Sequence, residues 1–295
     1  MSDPQSALKN HEPKYEYFIA IDSDGCAFDS MEIKHKECFI PNIIKHWKLQ
    51  AVSKFARDAA EFVNLYSKWR GINRFPALTM AFDLLEEHPD VIARKVEIPK
   101  APNLRRWIET ESKLGNPALA EYCASHDEPD MHQALRWSKA VNESVTDMVE
   151  GVPPFPFVRE CLQKMQGRAD VLVCSATPLE ALEREWEEHD IDQYVFTIAG
   201  QEQGTKKEHI QIAGGGKYDT QRMLMIGDAP GDMKAARANN ALFYPINPGD
   251  EAASWERLYT EAMDKFFDGT YAGDYEKKLI EEFDSYLPEV PPWKK

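Results

Sequence analysis

The chain has no Cys-x-x-Cys pair, no internal repeat, and no low-complexity tract beyond Gly214-Gly215-Gly216. Its five cysteines (Cys26, Cys38, Cys123, Cys161 and Cys174) are odd in number and widely spaced. That spacing excludes a zinc knuckle and argues against a disulfide framework, so a reducing, cytoplasmic compartment is expected. Met1 to Lys14 is polar and predicts no signal peptide. The longest apolar stretches, such as Tyr17–Ile21 and Val171–Cys174, fall far short of a membrane span, and no membrane is expected as a partner. Positive charge is also scarce: 35 Lys and Arg stand against 50 Asp and Glu, a net charge of −15. A chain this acidic lacks the basic surface that binds nucleic acid. A local basic pocket for a small anion is compatible with it, because net charge says nothing about one site.

The chain does have enough apolar material for a packed fold. Hydrophobic residues make up 43% of its 295 residues and aromatics 11%, which suits two domains or one large domain carrying an insertion. Residues 15–29 read as a buried strand, Tyr15 to Ile21, running into the polar turn Asp22-Ser23-Asp24-Gly25. Residues 30–150 read as helical throughout, with apolar residues at three- and four-residue steps and prolines between the helices. Residues 151–247 alternate helices with strands at Asp170–Cys174, Tyr194–Ala199, Met223–Ile226 and Ala241–Ile246. That alternation predicts a parallel sheet covered by helices on both faces. Residues 248–295 read as two amphipathic helices, split by Gly269–Gly273, that pack on the core. The long helical segment interrupts the α/β pattern after its first strand. Ligands bind at the carboxyl edge of such sheets, so the insertion is placed to act as a lid.

The residues able to do chemistry lie at strand ends. Asp22 and Asp24 are two positions apart just after the first strand. Such a pair suits a hard cation such as Mg²⁺, or a division into nucleophile and general acid/base. An ordinary Asp-Gly turn would look similar. Ser175 and Thr177 follow the next strand, and Lys206 and Lys207 open a helix after Gly204-Thr205. Asp228 ends a further strand, with Asp232 four residues on. Hydroxyl and ammonium groups are suited to holding a phosphoryl oxygen, and Asp228 could complete a metal site. Each feature alone has a structural explanation, such as Ser175 capping a helix before Pro178. Four in order at strand ends are hard to explain that way.

These four ordered motifs, over residues 15–247, resemble those of the haloacid dehalogenase (HAD) superfamily of phosphohydrolases with a helical C1-type cap. The resemblance implies a three-layer α/β/α Rossmann-like core around a five-stranded parallel sheet, with the all-helical cap at 30–150. It implies Mg²⁺-dependent hydrolysis of a small phosphorylated metabolite through a phosphoaspartate. Asp22 matches the nucleophile and Asp24 the general acid/base, both counted with the metal site. Ser175, with Ala176 beside it, matches the phosphoryl-binding position, and Lys206 the charge-offsetting lysine, with Lys207 as the alternative. Asp228 matches a direct Mg²⁺ ligand. Asp232 matches the second acid of that motif, near the metal or orienting the lysine. Cys26 stands where the family usually has Thr, a position that mainly shapes the turn. With Asp24, Asp228 and Asp232 all present, phosphate-ester chemistry is favoured over dehalogenation or phosphonate cleavage. A phosphomutase would keep the same residues, and a non-catalytic binder would keep the fold.

Within the helical segment, Arg70 and Arg74 flank Gly71 among aromatics. Four apart, they would share a face if the helix before them continues, and could clamp the substrate. The other reading is a salt-bridged helix end. Gly214-Gly215-Gly216-Lys217 is no P-loop, because Gln211 occupies the place of its first glycine.

Overall fold

In the computed structural model, which describes residues 3–294, the strands are β1 Tyr17–Ile21, β2 Ala169–Cys174, β3 Thr197–Ala199, β4 Met223–Gly227 and β5 Leu242–Pro245. They pair in parallel in the order β3-β2-β1-β4-β5. All residues of β2 and β4 are buried, as the apolar runs Val171–Cys174 and Met223–Ile226 require of strands with helices on both faces. In register, Ile21 lies opposite both Val173 of β2 and Ile226 of β4. The loops after these three central strands therefore begin at one level. The chain builds outward from β1 through β2 to β3, then crosses to β4 and β5. The carboxyl end of β1 is thus the topological switch point, where open α/β sheets hold their ligands. The edge strand β3 is shorter than its sequence suggests, because Asp192–Tyr194 winds into a single helical turn before it.

The described residues form two compact units, 3–31 with 151–286, and 32–150 with 287–294. In the first, the stretch from Glu251 to Phe267 and the helix Asp274–Tyr286 join the sheet's core cluster through Trp255, Leu258, Phe266 and Leu279. The expectation that all of 248–295 packs on the core is corrected beyond Tyr286. From Leu287 the chain groups with the helical unit, where the Trp293 ring meets Phe62 at 5.8 Å and His88 at 5.3 Å. Apolar burial of one tryptophan overrides chain proximity. Among the described residues no helix is long and apolar enough to cross a membrane.

The helical unit contains no strand among the described residues. Its core gathers Trp47, Phe82, Leu104, Trp107 and Trp137, with Leu104 and Trp107 from the one helix Pro102–Thr110. Here the shared helix face expected for Arg70 and Arg74 is corrected. The helix Ser53–Asn64 ends before them, and Gly71 at φ +78° turns the chain. Arg70 lies in that turn, buried, donating to the Leu65 carbonyl at 2.8 Å. Arg74 begins a different helix, Arg74–Glu86, capped by Asn73. Its Nη1 donates to the Ser138 carbonyl and hydroxyl and to Asn142 Oδ1 at 2.7 Å, and its guanidinium lies 4.9 Å from the Phe39 ring centre. Arg74 Nη1 is thus engaged by groups of its own unit.

Two predictions follow from this packing. Arg74→Ala should lower stability by about 1.5–3 kcal/mol, the range for hydrogen bonds to charged groups, in urea unfolding of the full chain. Wild-type stability with a raised KM would return Arg74 to substrate binding. The second concerns His209, fully buried on the helix Lys206–Gly214. Burial pushes its imidazole down to about 4, with the Glu208 carboxylate and the Gly200 and Gly204 carbonyls pulling weakly the other way. An unfolded imidazole titrates near 6.5, so between those values the unfolded chain binds the extra proton. Stability should fall as pH drops through that window, by up to about 1.4 kcal/mol per pH unit. His209→Gln should flatten this part of the stability–pH curve, and an unchanged slope would exclude the residue.

Candidate active site

The site is built on the loop leaving β1. The Ser23 carbonyl accepts the amides of Cys26, Ala27 and Phe28, at 3.2, 2.8 and 3.1 Å, and Gly25 takes φ +74° to close the turn. The Asp22 amide still pairs with the Ile226 carbonyl of β4 at 3.0 Å, which ties the loop's first residue to the sheet. The turn separates the two carboxylates. Asp22 joins a buried acidic group with Asp228 and Asp232, their ligand oxygens all within 4.8 Å of one another. Asp24 does not join it. Its Oδ1 accepts from Ser30 Oγ at 2.5 Å and its Oδ2 from Thr177 Oγ1 at 2.6 Å. The Asp24 carboxylate, expected among the metal ligands, is thus held by two hydroxyls and lies outside that group of three.

Lys206 enters from the helix after β3. Thr205 caps that helix in a reciprocal box, accepting from the Glu208 amide while the Glu208 carboxylate accepts from the Thr205 amide. The first residue so fixed is Lys206, whose Nζ lies 2.5 Å from both Asp22 Oδ2 and Asp232 Oδ1. Lys207, one position on, is exposed. Asp232 also accepts the amides of Asp228 and Ala229 through Oδ2, at 3.2 and 3.0 Å, so it shapes the loop after β4 as well as orienting the lysine. That loop closes on Asp232 only because residue 227 is glycine. A Cβ there would stand 2.4 Å from the Asp232 Cβ.

Burial raises the Asp22 carboxyl well above its ordinary range, Lys206 opposes, and Asp232 and Asp228 push further upward. Asp232 is raised for the same leading reason. For Lys206, burial disfavours the charge, yet Asp22 and Asp232 outweigh it and hold the ammonium firmly protonated. The three carboxylates carry more negative charge than the lysine returns. An acidic surplus buried this deeply costs free energy unless a cation joins it. Three carboxylates are also the all-oxygen donor set that a hard cation prefers, so the residues present fit Mg²⁺.

Ser175 sits buried at the end of β2, its amide bonded to the Ala199 carbonyl at 2.9 Å. Its hydroxyl accepts from the Thr177 amide at 3.3 Å rather than capping the next helix, which starts at Leu179. Ala176 beside it is exposed. Cys26 is fully buried, and burial together with Asp228 and Asp22 pushes its thiol well up, so it is an inert packing group. Sequence reasoning missed the parts Ser30 and Thr177 play at Asp24. A hydroxyl one residue after Asp29, or two after Ser175, carries no signal until the loops meet.

No protein-family model and no curated protein matches the chain. Solved structures do. A β-phosphoglucomutase of Clostridium difficile is 14% identical over 86% of this chain and 97% of its own, with a TM-score of 0.52. A candidate phosphoglycolate phosphatase of Lactobacillus delbrueckii is 14% identical over 88% of this chain and 100% of its own, at 0.51. A HAD-superfamily hydrolase of Geobacter sulfurreducens is 16% identical over 80% and 89%, at 0.40. The central parallel sheet and the helical insertion after β1 give this chain the fold of the haloacid dehalogenase-like proteins.

Proposed function

We propose that the protein is a Mg²⁺-dependent phosphatase of small phosphomonoesters, working through a phosphoaspartyl intermediate on Asp22. The observation that carries this reading is the Lys206 ammonium held 2.5 Å from both Asp22 and Asp232, beside Asp228. A buried cluster with surplus acid is a poor way to stabilise a fold, whereas it suits a site for a phosphate dianion and its counter-cation. The likeness to a mutase and to a candidate phosphatase agrees with phosphoryl chemistry of either kind.

In the proposed reaction, an Asp22 carboxylate oxygen attacks phosphorus in line with the ester oxygen. The bond from phosphorus to the leaving oxygen breaks, and Asp24 supplies the proton that makes it an alcohol. Asp24 then takes a proton from water, whose oxygen attacks phosphorus, and orthophosphate leaves as the Asp22 acyl phosphate breaks. Lys206 offsets charge between Asp22 and the phosphoryl oxygens, while the Ser175 hydroxyl and Ala176 amide hold those oxygens. The Ser30 and Thr177 hydroxyls keep the Asp24 carboxylate in one orientation between the two proton transfers. Asp22, Asp228 and Asp232 would hold Mg²⁺, which when bound supplies the positive charge that lets a dianion approach carboxylates. The helical insertion leaves the chain just after this loop, and is proposed to exclude bulk water and set specificity.

A screen of phosphorylated metabolites with free-phosphate detection tests the reading. Asp22→Asn should abolish turnover, because an amide cannot serve as the nucleophile. Asp24→Asn should slow it by about 10²–10⁴-fold. Retained hydrolysis in Asp22→Asn would exclude the mechanism. Phosphoryl transfer to a sugar phosphate outpacing transfer to water would identify a mutase instead.

Mg²⁺ should raise the melting temperature of the wild type and not of Asp228→Asn, since a ligand that binds only the folded chain stabilises it. Chelator should remove activity, and Ca²⁺ should fail to restore it, its looser shell misplacing the nucleophile. Full activity in excess chelator would exclude the metal.

A further inference from the structure

Two fully buried tryptophans, Trp186 and Trp255, aim their indole N–H groups at the loop that carries Asp22 and Asp24. Trp186, on the helix Leu179–Glu188, donates to Ser23 Oγ at 3.0 Å. That hydroxyl in turn donates a hydrogen bond to Glu185 Oε2 at 3.1 Å, so the side chain between the two aspartates is held at both its donor and its acceptor side. Trp255, on the helix Glu251–Arg257, donates to the Cys26 carbonyl at 2.8 Å. Its helix is in turn locked to the end of the sheet. Tyr244 donates its hydroxyl to the Ser254 carbonyl at 2.5 Å, and the Asn247 amide donates to Ser254 Oγ at 3.0 Å.

A tryptophan packed only for its bulk needs no acceptor on a catalytic loop. A buried indole N–H that finds one makes a directional bond and fixes the acceptor's position. Ser23 and Cys26 also share the loop's backbone frame, since the Cys26 amide donates to the Ser23 carbonyl. The two indoles therefore restrain one rigid turn at two points, from two separate helices. The segment after β5, to which the sequence assigns no chemistry, reaches the site in this way.

We infer that Trp186 and Trp255 are positioning residues for Asp22 and Asp24, and that through Trp255 the C-terminal helical segment is part of the catalytic apparatus. The inference rests on the phosphatase reading for its kinetic consequence alone. Trp255→Phe keeps an apolar ring and removes the N–H, and Ser23→Ala removes the acceptor of Trp186 with little change in volume. Both should lower kcat by roughly 10- to 100-fold with KM nearly unchanged, since about 1 Å of misplacement can cost ~100-fold. Hydrogen-exchange mass spectrometry of the peptide spanning residues 17–30 should show faster exchange in both variants. A residue that merely fills space would lower the melting temperature without that split between kcat and KM. Wild-type kcat and wild-type exchange in the folded variants would overturn the inference. If the wild type hydrolyses no phosphomonoester, the phosphatase reading fails and exchange alone decides the positioning role. If Trp255→Phe does not fold, Ser23→Ala gives the same decision for Trp186, and Trp255→His, which keeps a ring N–H, tests the other indole.

Discussion

One ammonium group organises the core of this protein. Lys206 lies between Asp22 and Asp232 in a place with little water, where neither carboxylate nor lysine would be tolerated alone. Several otherwise separate features serve that contact. The register that ends β1, β2 and β4 at one level brings Asp22 and the loop of Asp228 together. The Thr205–Glu208 box sets where the lysine's helix begins. The glycine at 227 lets the next loop fold down on Asp232. Moving any of these would leave a buried charge without its partner, which costs more than the pair itself contributes.

The same loop shows how polar chemistry is accommodated at the edge of an apolar sheet. Asp22 is directed into the charged cluster and Asp24 toward two hydroxyls, and the tight turn around the Ser23 carbonyl keeps them apart. Neighbouring carboxylates with different surroundings can then do different work, one as nucleophile and one as proton carrier. Behind the turn, Trp186, Trp255 and Phe28 supply apolar mass. Packing and hydrogen bonding therefore act on the same few residues.

The helical unit follows other rules. Its aromatic core closes without the sheet, and Trp293 from the chain's far end completes it. Its arginines illustrate a recurring ambiguity. A guanidinium near aromatics in an acidic protein suits an anion clamp or an internal brace equally well, and only its hydrogen-bond partners distinguish them. Arg74 finds Ser138 and Asn142, which lie more than sixty positions away along the chain.

The amino-acid sequence by itself determined the parallel sheet, the insertion after the first strand, the strand ends bearing Asp22, Ser175 and Asp228, and the helix start bearing Lys206. Those features are local: an unbroken apolar run, a capping residue or a turn dipeptide fixes them through neighbours a few positions away. Tertiary structure alone decided that Lys206 rather than Lys207 meets the carboxylates, that Asp24 stands apart from the acidic cluster, and that the last residues join the helical unit. Each of these depends on which distant groups come within hydrogen-bonding or packing reach. Sequence spacing carries no such distance. The energy of a buried charge or an indole N–H is set by the groups folded around it rather than by those beside it in the chain.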